Sequence, residues 1–218
     1  SIDNGNVYKL TTSYDIITLS YTMIEITQAE QKALLIIYKD FTHFHNANSL
    51  SGQLGITQVG TMKLLKRFEK VNIISSKRIG KSIIYKINIE EELTRKLIGF
   101  ALVNEAKQYE RWKEEFKPIY GVAEIVLFYG SASRNYTQAR DIDIFIVQDK
   151  EDMKETYRKL KEIEALLPKK VHEIQATSEE FLKNLRARNE TLIEIIKTAI
   201  ILGGYDKYME ILNEFAKF

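Results

Sequence analysis

Two apolar segments, Glu124-Ile-Val-Leu-Phe-Tyr129 and Asp141-Ile-Asp143-Ile-Phe-Ile-Val147, stand on either side of a Gly130-Ser131 pair. No other stretch restricts the possible folds as much. Each segment is short, apolar and rich in strand-forming residues, so each reads as a buried strand, the first ending at Gly130. Side chains alternate faces along a strand, which puts Asp141 and Asp143 on one face and Ile142, Ile144 and Ile146 on the other. Two carboxylates on one half-buried face repel each other and lose hydration. A cation between them is the simplest relief, and Gly130 leaves a turn open enough for a phosphate-sized group.

The 218 residues suit one large domain or two small ones. Apolar runs are too short to cross a bilayer and no signal peptide opens the sequence, so no membrane association is expected. The absence of cysteine excludes disulfides and thiolate metal sites, and an intracellular, cytoplasmic protein fits it. The net charge is only +2, but it is unevenly spread. Between Gln58 and Asn88 lie Lys63, Lys66, Arg67, Lys70, Lys77, Arg78, Lys81 and Lys86 against the single acid Glu69. That stretch forms a local basic face. Pro118 follows a long charged helical stretch, Glu90 to Lys117, and precedes the first strand. The expected division is therefore an N-terminal domain at 1–89, a linker helix at 90–119 and an α/β domain at 120–218.

In the N-terminal part, Thr27 and Glu30 form a capping box ahead of a helix. A short helix marked by Leu50 and Leu54 ends at Gly55, and Thr57 can cap the next one. That helix, Gln58 to Val71, is expected to turn Met62, Leu65 and Phe68 inward. Two alternating strands about Gly80 then make a basic hairpin. His43 and His45 read as loop or surface residues, because no third ligand is nearby. Residues 1–26 read as strand or hairpin material that packs on this unit or on a second copy.

This order of elements, with its Gly-Ile-Thr turn and basic hairpin, resembles a winged helix-turn-helix domain of prokaryotic transcription regulators. The resemblance implies that the second helix of the motif enters the major groove of DNA. Thr57, Gln58, Thr61 and Lys63 would then approach base edges. Lys66, Arg67, Lys77, Arg78 and Lys81 would lie near phosphates. A homodimer is expected, since one winged helix reads only a short site. The other role open to such a domain is a platform for a dimer or protein partner.

The strand, Gly-Ser, short segment and Asp-x-Asp strand resemble the DNA polymerase β-type nucleotidyltransferase superfamily, especially its small prokaryotic members. The segments "KKVHEIQATSEEFLKNL" and "NETLIEIIKTAIILGGYDKYMEIL" resemble that family's third strand with its helix, and its closing helix, Leu-Gly-Gly turn and tail. The fold class expected is α+β, a winged helix joined by a long helix to a domain with a mixed sheet. The resemblance implies that Gly130 and Ser131 hold the triphosphate and that Asp141 and Asp143 bind magnesium, two ions in all. Arg134 and Arg140 would complement phosphate charge. Glu173, with Val171 and Gln175 on its face, is the candidate third carboxylate, either a metal ligand or an exposed edge-strand residue. His172 is expected on the opposite side. The substrate would be a nucleoside triphosphate, with ATP favoured, and the acceptor a protein, an RNA or a small molecule. Minimal members of the family also imply a HEPN-family protein as acceptor. Three departures stand out: a Ser131-to-Asp141 spacing shorter by one residue, Asn135 after the arginine, and Arg140 where the family carries serine. They leave open the alternative of a DNA-binding regulator whose nucleotidyltransferase-like domain senses nucleotide or mediates contacts without catalysis.

Overall fold

The computed structural model describes residues 25–216. The strand material expected in residues 1–26 lies outside the described residues, save for Glu25 and Ile26. The chain begins with α1 (Gln28–Lys39), α2 (Ala47–Leu54) and α3 (Gln58–Lys70), followed by a hairpin of β1 (Ile74–Ile79) and β2 (Ser82–Ile87). Local chemistry sets these boundaries. The Thr27–Glu30 capping box opens α1, and Gly55 ends α2 in the left-handed region at φ 70°. Thr57 caps α3 by accepting a hydrogen bond from the Gly60 amide.

The phase of α3 differs from the expected one. Thr61, Leu64, Leu65 and Phe68 face inward, while Met62 is exposed. Thr61 tolerates full burial because its hydroxyl donates to the Thr57 carbonyl one turn back, 3.1 Å away. A buried Thr61 cannot approach base edges, so that part of the expected interface is withdrawn.

The linker is also more broken than a single helix. α4 runs from Glu92 to Ala106, a 3-10 turn occupies Lys107–Tyr109, and α5 covers only Glu110–Glu115. The break lets Trp112 and Phe116 turn against the sheet, where Trp112 sits 5.0 Å from Phe128 between ring centres.

The remaining elements are β3 (Ala123–Tyr129), α6 (Gly130–Arg134), β4 (Asp141–Gln148), α7 (Met153–Leu166), β5 (Lys170–Ala176), α8 (Ser178–Arg186), α9 (Glu190–Thr198), β6 (Ile200–Gly203) and α10 (Tyr205–Asn213). A four-stranded mixed sheet runs β5-β4-β3-β6, antiparallel except for the β4–β5 pair. The fold is thus α+β with a mixed sheet. The stretch expected to be a Leu-Gly-Gly turn contributes β6, which pairs with β3. Gly204 follows it at φ 80°, and a Cβ there would come within 2.8 Å of the Glu124 carbonyl carbon. Only glycine permits that approach.

The sheet is covered on both faces. Val126, Phe128, Ile142, Ile144 and Ile146 pack with Trp112, Phe116 and the α7 residues Leu160 and Ile163. Ile125, Leu127, Phe145 and Val147 pack with α8 and α9, in a core that continues into α1, α3 and the hairpin. The N-terminal and sheet-containing portions therefore share one core. Polar contacts reinforce it. Buried Lys39 donates to Glu105 at 2.6 Å and to the Ala199 carbonyl at 2.8 Å. Tyr38 donates to Asn213 at 2.8 Å, and Lys197 of α9 pairs with Asp40 at 3.4 Å. The two histidines of the intervening loop differ. His43 is exposed and bonds Asp40, whereas His45 is buried, and burial lowers its pKa. Among the described residues, no helix is long and apolar enough to cross a membrane.

Candidate active site

Asp141 and Asp143 lie where β4 begins, on the sheet face that also carries Phe145 and Val147, as strand alternation requires. Tyr129 pairs with Asp143 across the β3–β4 ladder. Gly130, at φ 75°, turns the chain directly from β3 into α6. The glycine is dictated by the site itself. A Cβ on Gly130 would fall 2.8 Å from Cγ of Asp143, so the backbone turn and the carboxylate occupy adjoining space. The loop leading into Asp141 is pinned by Lys169, which donates to the Tyr136 and Ala139 carbonyls and lies over the Tyr136 ring.

The β4–β5 register decides the third member of the cluster. Asp143 pairs with His172 and Ile144 with Glu173. Partners in register share a face, so His172 joins the aspartates and Glu173 points to the other side of the sheet. The expectation that Glu173 completes the site is corrected accordingly. Glu173 lines a separate hollow with Met153, Lys154, Tyr157 and Gln175. His172 Nδ1 lies 3.2 Å from an Asp141 carboxylate oxygen. Among the described residues, Asp141, Asp143 and His172 form the group whose ligand atoms lie within 4.8 Å of one another.

The electrostatics of the cluster follow from burial and from the mutual repulsion of the carboxylates. Burial raises the Asp143 pKa, the charge of Asp141 raises it further, and His172 opposes both. Tyr129 is pushed up to about 12 by burial and then by Asp143 and Asp141. Two carboxylates and an imidazole are donors that a divalent metal ion accepts, so the residues present fit such an ion.

Ser131 is exposed in the first turn of α6. Arg134 and Arg140 are exposed and have no ion-pair partner among the described residues. A hollow beside Tyr129 and Gly130 is lined by Glu190, Thr191, Glu194, Ile195 and Thr198 of α9. The helix α9 was expected, but not its place beside Gly130, and His172 was expected on the opposite side rather than with the aspartates. The parallel β4–α7–β5 crossover places β5 beside β4 but leaves open the register that brings His172 rather than Glu173 to the aspartates.

On the N-terminal portion, Val59, Met62, Lys63 and Lys66 project from one outer face of α3, with Thr57 and Gln58 exposed at its start. Lys77, Arg78 and Lys81 are exposed around the hairpin tip, which turns at Gly80. Arg67 is not part of this surface. Its Nε lies 3.3 Å from the buried Glu30 carboxylate and another nitrogen donates to the Glu25 carbonyl, so it braces α3 against α1. Its expected place near phosphates is corrected on that ground.

A turn from strand to helix at Gly-Ser thus stands against paired aspartates on the neighbouring strand of a mixed sheet, with His172 beside them. Residues 107–198 match the family model described as "Nucleotidyltransferase domain", and the whole cluster lies inside that stretch. No curated protein matches the chain significantly. Solved structures similar to part of it include mutants of Lactococcus lactis ZitR. One has 14% identity and a TM-score of 0.35, covering 45% of this chain and 65% of that chain. Another has 13% identity and a TM-score of 0.34, covering 44% of this chain and 63% of that one. The chain thus spans less than two thirds of those structures, and a likeness at that level carries no functional argument.

Proposed function

We propose that the chain transfers a nucleoside monophosphate from a nucleoside triphosphate, ATP in the first instance, to an acceptor hydroxyl, releasing pyrophosphate. The observation that carries this is the packing of Gly130 against Asp143 inside a stretch matching the nucleotidyltransferase domain. Gly130 and the first turn of α6 bring backbone N–H groups close to where a triphosphate would lie. Ser131 adds a hydroxyl, and Arg134 and Arg140 offer charge to the phosphate oxygens. Asp141, Asp143 and His172 would hold divalent metal, which supplies electrostatic stabilisation of the attacking and leaving oxygens when bound. The hollow beside α9 gives the base or the acceptor a wall.

In the same proposal the exposed face of α3 and the hairpin tip bind DNA. Thr57, Gln58 and Lys63 stand nearest base edges, and Lys66, Lys77, Arg78 and Lys81 near phosphates. Val59 and Met62 offer apolar contact to thymine methyl groups. A homodimer and a HEPN-family acceptor belong to the proposal as partners, and domain limits at 1–89, 90–119 and 120–218 as its architecture. A non-catalytic regulator that senses nucleotide is the second reading. One observation favours it: α9 lines the hollow beside Gly130 while its Lys197 pairs with Asp40 at the end of α1. Incubation with α-labelled nucleoside triphosphates and divalent metal, against protein, RNA and small-molecule acceptors, separates the two. Labelled acceptor with stoichiometric pyrophosphate supports transfer. Metal-dependent binding without release across all acceptors supports the regulator.

A further inference from the structure

We infer that His172 makes the cation site of this chain select a first-row transition ion over magnesium. The inference rests on the nucleotidyl-transfer reading of the Asp141–Asp143 site and deepens it. Three carboxylates would present only oxygen, the donor that magnesium prefers. Here the third position is an imidazole, because the β4–β5 register sets His172 beside Asp143 and sends Glu173 to the opposite face. Imidazole nitrogen binds ions from the later first row far better than it binds magnesium, whose small hard shell favours carboxylate and water.

The geometry supports ligation. With bonds of roughly 2.1 Å, neighbouring ligands around an ion stand about 3 Å apart. His172 Nδ1 and the Asp141 oxygen are already 3.2 Å apart. The three ligand atoms all lie within 4.8 Å, so modest side-chain rotation of Asp143 closes the set. The His172 side chain is 60% exposed and its Nδ1 already faces the Asp141 carboxylate, so the ring is accessible to an ion held there. The other cationic side chains nearby, Arg134 and Arg140, are exposed and unpaired, so neither competes for the carboxylates in the described residues.

The test is a cobalt titration of the full chain followed by visible absorption, with magnesium as competitor. It compares the parent with His172→Asp, His172→Asn and Asp143→Asn. All proteins carry His43→Ala, which removes the other exposed imidazole and its bond to Asp40. Retained melting temperatures establish folding, as expected for changes at an exposed strand position. The expected result is a fall in the cobalt-to-magnesium affinity ratio on the order of tenfold or more in His172→Asp. The cobalt band should also lose the signature of a nitrogen ligand in both His172 variants. An unchanged ratio and spectrum in those variants, with binding abolished by Asp143→Asn, overturns the role of His172 and leaves the nucleotidyl-transfer site standing. Absence of metal binding by the parent, with or without nucleoside triphosphate, sinks both.

Discussion

Replacing Gly130 with alanine should damage the site by two separable routes. At φ 75° the backbone lies in the left-handed region, which costs an alanine roughly 1–2 kcal/mol. The new Cβ would also lie 2.8 Å from Cγ and 3.1 Å from Cβ of Asp143, so the aspartate must leave its place. Forcing that side chain off its rotamer costs about 0.5–1.5 kcal/mol more. The sum, about 2–3 kcal/mol, corresponds to a fall in melting temperature of roughly 5–10 °C for a chain of this size. Urea denaturation of Gly130→Ala measures the total, and the same substitution in an Asp143→Ala background separates the parts. Without the carboxylate most of the steric part should go, since only the 3.1 Å approach of the two Cβ atoms remains, and the cost should fall toward the roughly 1–2 kcal/mol of the backbone. An equal cost in both backgrounds would refute the claim that the carboxylate dictates glycine here. Metal-nucleotide binding should be lost in Gly130→Ala even at temperatures where the protein is fully folded.

Three further outcomes follow from other parts of the molecule. Because the folded-state pKa of Asp143 is raised, the native state binds a proton more tightly than the unfolded chain, so metal-free stability should fall as pH rises through the window from about 4 to that raised value. Asp143→Asn removes this penalty. Its metal-free stability should therefore exceed the parent's above the window and match it below, as read by denaturation across pH. Lys39→Ala leaves Glu105 and the Ala199 carbonyl without their shared donor and should cost about 3 kcal/mol, with both portions still unfolding in a single transition. In gel-shift titrations, DNA affinity should fall steeply with salt, and Lys66→Ala or Lys81→Ala should each reduce the log–log slope by about 1. Arg67→Ala should lower stability with little change in that slope, since its partner is Glu30.

The sequence disclosed those features that depend on alternation or local capping, and missed those that depend on pairing between distant segments. Strand parity alone put Asp141 and Asp143 on one face, and the Thr27, Gly55 and Thr57 caps were readable from residue type. The choice between Glu173 and His172 was not readable, because a one-residue change in the β4–β5 register exchanges them. Helix phase failed at Met62 for a related reason. A threonine whose hydroxyl bonds back to the preceding turn can occupy an inward position that an apolar pattern assigns to methionine. Arg67 looked like a phosphate contact because its partner Glu30 lies on another helix, far away in sequence. The break at Lys107–Tyr109 follows from packing Trp112 and Phe116 onto the sheet, where tertiary contact overrides a continuous helical pattern.

The central claim is that Asp141 and Asp143 hold a cation with a nucleoside triphosphate against the Gly130 turn. Thermal melting of the parent and of Asp143→Asn, each with and without divalent metal and ATP, tests it most directly. Ligand bound only to the folded state raises stability by about 2.7 kcal/mol at a hundredfold excess over Kd, equivalent to roughly 5–10 °C here. The parent should show that rise only when metal and nucleotide are both present, and Asp143→Asn should lose most of it while melting no lower than the parent without ligand. A parent that does not respond, or an Asp143→Asn protein that responds as fully as the parent, would contradict the claim.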